Sequence, residues 1–321
     1  MKEDNVGAKN YNSGLNSNET KEITSFVNRL VILFLGSSVL PSIVRTILRY
    51  KIRNSFFDDF SGILMECLSL LIVLVFGSHL FKTTSQRIAF SENTLVKLPV
   101  IDSILLTVAF FSFEWIIIVC VFLFANGNAG FASSVISDYT IDHLVMVIIA
   151  SCILGPIYEE ILFRKIGFQY AQNYGTMFAI VTSTIVFAVA HGFRLNFISA
   201  IFMGLFLGIL YAQTGRVICP ILFHVFHNGF YSALEFIFPP TKGLIPDFAL
   251  LLLLCVFILL CVISSCFYIS LRKICLQDVS IKIIIRNLWM RLKADKDKYK
   301  AYFLSGGAGA LLGYMLASVL I

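Results

Sequence analysis

A small set of ionisable and amide side chains lies inside apolar segments of this chain. A charged side chain at the centre of a membrane helix costs about 2.5–3.5 kcal/mol on insertion scales, so such residues are rare and usually functional. They fall in the segments PIYEEILFRKIG, FAVAH and CPILFHVFHNG. The residues concerned are Glu159, Glu160, Arg164, His191, His224, His227 and Asn228.

The spacing of these residues predicts which of them share a helix face. Glu160 and Arg164 are four positions apart, so they can form an ion pair. Glu159 is rotated by about 100° from Glu160 and faces a different neighbour, which leaves its carboxylate free for chemistry. His224 and Asn228 are also four positions apart and share a face. His227 is interpreted as a supporting or structural residue.

Together these groups are typical of a hydrolytic site. A carboxylate beside an imidazole can hold and deprotonate a water molecule. An imidazole and a carboxamide can donate hydrogen bonds to a developing oxyanion. The same groups could instead bind a divalent metal that keeps one position open for water, with Glu159, His191 and His224 as ligands of a zinc ion. The residue types leave both alternatives open: no required cofactor, or zinc.

The elements that must position these residues are membrane helices. The 321 residues are 58% hydrophobic and 14% charged, against about 45–50% apolar and 25% charged in soluble domains. We therefore predict an all-α, polytopic transmembrane helical bundle of about eight spans. A polar, disordered arm at residues 1–23 precedes a single membrane domain at residues 24–321. The candidate spans are Ser25–Ile47, Ile63–Leu80, Ile101–Phe124, His143–Phe163, Thr176–Ala190, Phe197–Tyr211, Val217–Tyr231, Phe248–Tyr268 and Tyr302 to the end.

The basic residues lie between the apolar runs, as in the cytoplasmic loops of membrane proteins, so the net charge of +6 does not indicate nucleic-acid binding. The segment Arg272–Lys300 is predicted to be cytoplasmic. The loop Ala125–Asp142, which has no Lys or Arg, then lies outside. One basic stretch, residues 45–53, disagrees with this orientation. Either it forms an interfacial helix or one of the first two spans is wrong.

The remaining polar residues of the apolar segments receive structural interpretations. The eight cysteines form no CxxC pair and are interpreted as small buried hydrophobic residues. Glu66, Glu114, His79 and His143 match no motif and are interpreted as packing or interface residues.

Helix lengths permit the chemical groups to meet. With ideal helices that turn near residues 173 and 215, Glu159 lies about 21 Å from its turn, His191 about 27 Å and His224 about 14 Å. Tilt and helix breaks could close this spread.

Three motifs in order resemble those of the CAAX protease and bacteriocin-processing family, which includes the type II CAAX prenyl endopeptidases. They are EExxxR at residues 159–164, FxxxH at residues 187–191 and HxxxN at residues 224–228. The resemblance covers roughly residues 100–235. It implies that Glu159 and His191 activate water, that His224 and Asn228 stabilise the oxyanion, and that Glu160 and Arg164 support the site.

The sequence therefore predicts an intramembrane endopeptidase in the bacterial cytoplasmic membrane. Its partners would be the lipid bilayer and a membrane-embedded peptide or protein substrate, and its role bacteriocin leader processing, signalling or self-immunity. Oligomeric state stays open. The alternative is a non-catalytic immunity or scaffold protein, but such a protein has no need of four costly polar groups. A transporter would show inverted repeats or paired broken helices, and neither is evident.

Overall fold

The computed structural model describes residues 16–52, 55–81, 100–124, 141–192, 195–237, 252, 254–266, 290, 292–293 and 295–320. Within these ranges the chain forms helices and turns and contains no strand, which confirms the all-α prediction. Most of the predicted N-terminal arm and most of the basic segment Arg272–Lys300 lie outside the described residues.

Ten helical elements are used below. They are α1 (Ser17–Ile52), α2 (residues 55–80), α3 (Val100–Phe124), α4 (residues 141–174), α5 (Thr176–Ala190), α6 (Leu195–Thr214), α7 (Ile218–Ile237), α8 (Leu254–Cys266), α9 (Lys296–Phe303) and α10 (Gly306–Leu320).

The prediction of about eight spans is not confirmed by helix length. Four described helices are long and apolar enough to cross a membrane: Ser17–Ile52, Phe60–Leu80, Leu144–Tyr174 and Phe197–Thr214. Four further apolar helical stretches are shorter: Thr107–Ile116, Thr176–Ala190, Leu254–Cys266 and Gly306–Ala317. A 15-residue helix such as α5 extends only about 22 Å, less than the hydrocarbon thickness of about 30 Å.

Helix α1 begins earlier and ends later than the first predicted span. Asn16 caps it: the Glu19 amide donates to Asn16 Oδ1 at 2.8 Å, and the Asn16 amide donates to Glu19 Oε2 at 3.2 Å. Ile23, which the sequence assigned to the polar arm, is fully buried in this helix. At the other end, Arg49 and Lys51 lie in the last turn of α1, so the basic stretch continues the first helix as far as Ile52.

Helix α4 is continuous but irregular, and this irregularity surrounds the two glutamates. Stretches with the wide turns of a π-helix, Ile148–Leu154 and Ile161–Phe168, flank the ordinary α-helical segment Gly155–Glu160. Wide turns of this kind occur often at functional sites, because they re-aim side chains within a helix. Gly175, with a φ of 122°, then reverses the chain into α5.

Helices α5 and α6 form a close pair, whose contact depends on two glycines on one face of α6. A Cβ on Gly204 would lie 3.2 Å from Phe187 Cδ1 and 3.3 Å from Thr184 Cα. The next residue on that face, Gly208, lies against Ile180 with ordinary spacing. This GxxxG pattern permits close backbone approach, which drives helix association where the solvent is lipid. Gly215, with a φ of 64°, ends the turn into α7.

The buried core joins α1, α4, α5 and α6. Phe26 of α1 stacks on Tyr170 of α4 with ring centroids 4.7 Å apart, and Phe34 of α1 lies against Phe163 of α4. Phe163 in turn packs edge-on against Phe187 of α5. This aromatic layer holds α4 between α1 and α5. The glutamates of α4 then lie beside the end of α5 and beside His224 of α7.

Candidate active site

Glu160 and Arg164 of α4 form the buried ion pair that their spacing predicts. Arg164 Nε lies 3.2 Å from Glu160 Oε2, and both side chains are fully buried. Arg164 also donates from Nη2 to the carbonyl oxygen of Gly204 at 3.1 Å, and its guanidinium lies 4.7 Å from the centroid of the Phe187 ring. The arginine therefore links α4 to both helices of the close pair.

Glu159 faces away from this ion pair, towards two histidines from other helices. Its Oε2 atom lies 4.0 Å from His191 Nε2 and 3.8 Å from His224 Nε2. Both distances exceed a direct hydrogen bond, and both are short enough for a bridging water molecule. The Glu159 side chain is 24% exposed and that of His191 31% exposed, so water has access to this carboxylate.

The tautomer of His191 follows from its backbone contact. His191 Nδ1 lies 2.8 Å from the carbonyl oxygen of Phe187. A carbonyl oxygen only accepts, so Nδ1 carries the proton. In a neutral imidazole, Nε2 then presents its lone pair towards Glu159, where it can accept a hydrogen bond from a water molecule.

His224 of α7 is held by the other glutamate. Its Nδ1 atom lies 3.0 Å from Glu160 Oε1, and the side chain is almost fully buried. Because Glu160 is paired with Arg164 it is ionised, so His224 Nδ1 donates. With Nδ1 held by Glu160, Nε2 is the His224 atom that faces Glu159, 3.8 Å from its Oε2 atom.

Asn228 lies one turn beyond His224 on α7. Its Nδ2 atom donates to the carbonyl oxygen of Ser151 in α4 at 3.0 Å, and its Oδ1 atom lies 3.3 Å from His227 Nδ1. The structure thus brings Glu159, His191 and His224 together directly and places Asn228 on the same side of α7. The spread in depth that ideal helices predict does not appear, since Glu159 lies within 4.0 Å of both histidines.

Two residues near Asn228 were not predicted to take part. Glu114 of α3, interpreted from the sequence as a packing residue, is buried, and its Oε2 atom lies 3.2 Å from His227 Nε2. Ser199 of α6 donates to Glu114 Oε1 at 2.6 Å. The signal that could have identified Glu114 is its charge in the apolar run FFSFEWIII. No sequence motif identifies its partners, because they come from two other helices.

The metal alternative gains no support from the geometry. Among the residues that the structure describes, no group of three or more His, Cys, Asp and Glu side chains has an arrangement that could hold a metal ion. No step of the chemistry below is assigned to a metal.

Comparison with known proteins identifies the segment that carries this site. Residues 141–230 match the family described as type II CAAX prenyl endopeptidase Rce1-like. These residues contain all six predicted site residues and the helices α4 to α7 that position them.

Two curated relatives are bacterial. YdiL of Bacillus subtilis (strain 168), whose name describes a membrane peptidase, is 34% identical over 115 residues, which are 36% of this chain and 47% of that protein. The membrane-embedded CAAX protease MroQ of Staphylococcus aureus (strain USA300) is 33% identical over 95 residues, 27% of this chain and 38% of that protein. The chain thus spans less than half the length of these relatives. No solved structure gives a significant match.

Proposed function

We propose that this integral membrane protein is an intramembrane endopeptidase, on the premise that residues 141–230 match the Rce1-like CAAX protease family. The observation that carries the proposal is the position of Glu159. One oxygen of its carboxylate lies within 4.0 Å of the Nε2 atoms of both His191 and His224. A carboxylate and two imidazoles from three helices therefore converge.

In the proposed reaction, a water molecule binds between Glu159 and His191. Glu159 takes a proton as the water oxygen attacks the peptide carbonyl carbon, and the His191 Nε2 lone pair holds the water in place. The carbonyl oxygen acquires negative charge and accepts hydrogen bonds from His224 Nε2–H and Asn228 Nδ2–H. Glu159 then passes its proton to the leaving amine nitrogen, which breaks the carbon–nitrogen bond. Glu160, held by Arg164, keeps His224 oriented throughout.

The surroundings of the site support a hydrophobic, membrane-associated peptide as substrate. Leu222 and Phe226, on the same helix as His224 and Asn228, are large apolar side chains that are mostly exposed. In a bilayer such side chains face lipid, so α7 separates the site, on its opposite face, from the membrane. The bacterial origin of the two relatives supports the proposal that the protein lies in a bacterial cytoplasmic membrane.

The test is cleavage of quenched fluorescent peptides with membrane anchors by the purified full-length protein in proteoliposomes. Glu159→Gln and His191→Ala should each lower kcat by about 10²- to 10⁴-fold, the usual contribution of a general acid or base. Asn228→Ala should lower kcat by about 10²- to 10³-fold. Lys165→Gln, on the exposed face of the same helix as Glu159, is the matched control and should retain activity.

Two results would contradict this proposal. Unchanged cleavage by Glu159→Gln and His191→Ala would exclude these residues as the water-activating pair. Loss of activity after treatment with a chelator, restored by zinc, would exclude the metal-independent reaction and favour the alternative of Glu159, His191 and His224 as ligands.

A further inference from the structure

A second buried polar cluster lies directly behind Asn228. It is a chain of contacts across three helices: Ser199 donates to Glu114 Oε1 at 2.6 Å, Glu114 Oε2 lies 3.2 Å from His227 Nε2, and His227 Nδ1 lies 3.3 Å from Asn228 Oδ1. Asn228 Nδ2 then donates to the carbonyl oxygen of Ser151. The water-activating residues take no part in these contacts.

The direction of each hydrogen bond follows from the chemistry of its partners. The Asn228 amide nitrogen points to a carbonyl oxygen, so the amide oxygen is the atom that faces His227. Since an amide oxygen only accepts, His227 Nδ1 must carry a proton. Nε2 of the same ring faces the Glu114 carboxylate, 3.2 Å from its Oε2 atom.

The contact between Glu114 and His227 is buried among aromatic side chains. Glu114 is 1% exposed and His227 is 12% exposed. The aromatic rings of Phe111 and Trp115 lie beside the His227 imidazole, and Trp115 is covered in turn by the stacked ring of Phe257. In such apolar surroundings hydrogen bonds are electrostatically stronger than in water, and an unpaired polar group is costly. The His227 ring is therefore held in one tautomer and one orientation.

We propose that Glu114 and His227 are positioning residues for the Asn228 carboxamide. Glu114 fixes the orientation of the His227 ring, and His227 Nδ1 holds the amide oxygen of Asn228. The amide nitrogen is thereby kept where it donates one N–H to Ser151 and has the other for the oxyanion. The inference rests on the proposed function, in which Asn228 donates to the oxyanion. It adds Glu114 of α3, which lies outside the segment that matches the protease family, to the residues that position the site.

A pair of substitutions at one position separates orientation from packing. Glu114→Met keeps the length of the side chain and removes both polar atoms. Glu114→Gln keeps an oxygen to accept from Ser199 and supplies an N–H that can donate to His227 Nε2, so His227 still carries its proton on Nδ1. Ser112→Ala is the control on the same helix, because this buried hydroxyl donates to the Val108 carbonyl oxygen of its own helix.

We expect Glu114→Met to lower kcat by about 10- to 100-fold, the range found when a partner that orients a working side chain is removed. KM should change less than twofold, because the water-activating groups and the peptide-binding surface are untouched. Glu114→Gln and Ser112→Ala should stay within threefold of the original protein. In an Asn228→Ala background, Glu114→Met should cause no further loss, since the group it orients is gone.

The inference would be overturned if Glu114→Met lowered kcat equally in the original protein and in the Asn228→Ala variant, or lowered it in neither. A second readout does not depend on activity: ¹⁵N-histidine NMR of the full chain in nanodiscs, with His227 assigned through His227→Gln. A protonated His227 Nδ1 supports the inference, and an unprotonated Nδ1 refutes it at any level of activity. A protein that cleaves no peptide yet keeps this proton would count against the proposed protease function and leave the hydrogen-bond chain standing.

Discussion

The contact between α5 and α6 allows a sharp prediction, because its two glycines differ in the space around them. A Cβ added at Gly204 would lie 3.2 Å from side-chain atoms of Phe187 and Thr184, and 3.3 Å from the Thr184 Cα, which is backbone and cannot rotate away. A Cβ added at Gly208, on the same helix face, would meet its neighbours at 3.6 Å or more. Alanine at position 204 should therefore strain the contact between α5 and α6, whereas alanine at position 208 should not.

The magnitude follows from comparing the two variants. Each Gly→Ala change gains about 0.8–1.0 kcal/mol in helix propensity, so this term cancels in the difference. What remains is the strain of an extra methyl group in a packed interface, which costs about 1–3 kcal/mol. We expect the free energy of unfolding of Gly204→Ala to be lower than that of Gly208→Ala by this amount. Gly204→Ala should also lose activity, because Phe187 supports both His191 and Arg164 and the Gly204 carbonyl accepts from Arg164.

The measurement is unfolding of both purified variants in mixed micelles by titration with sodium dodecyl sulfate, followed by far-ultraviolet circular dichroism. Peptide cleavage is assayed on the same samples below the unfolding transition. Equal free energies of unfolding for Gly204→Ala and Gly208→Ala would refute the argument that helix approach at residue 204 depends on the missing side chain. A loss of activity in Gly208→Ala alone would refute it as well.

Two further substitutions test the ion pair and the attachment of the last helix. Arg164→Met should lower the free energy of unfolding by about 3–5 kcal/mol, because it leaves the fully buried Glu160 without its counter-charge; a change below 1 kcal/mol in the same micelle titration would contradict this. Gly307→Ala should destabilise the protein more than Gly309→Ala. A Cβ on Gly307 would lie 3.0 Å from the Asn28 backbone, whereas a Cβ on Gly309 would have no neighbouring element of the described chain within 4 Å. Equal thermal stability of the two variants would exclude this contact.

The ion pair and the separate direction of Glu159 are the parts of the site that could be predicted from local spacing. Glu160 and Arg164 belong to one helical turn, so their contact depends on helix geometry alone. The contact of Glu160 with His224 could not be predicted in the same way, since it joins residues from two helices at a rotation that only packing decides. The depth estimate was loose for a related reason: the tilt and packing of the helices are not encoded by local spacing.

The membrane helices also could be predicted from the sequence only in part. Run length and composition predicted the helices of the membrane domain, yet described helices such as α5 are shorter than a membrane span, so the count of about eight is not confirmed. Composition reports whether a segment is apolar. It does not report how far the helix extends, and α1 extends into both the polar arm and the basic stretch that were predicted to flank it.

What the sequence by itself determined is the chemistry available: an apolar, helical chain with a carboxylate, imidazoles and a carboxamide at positions where burial is costly. These properties belong to residue types and to spacing within single helices. What only the tertiary structure decided is which groups meet. Glu159 lies between His191 and His224, and Glu114 lies behind His227, because the packing of α3 to α7 sets their rotation and depth. Contacts between helices depend on the fit of whole surfaces, and no local pattern of residues encodes that fit.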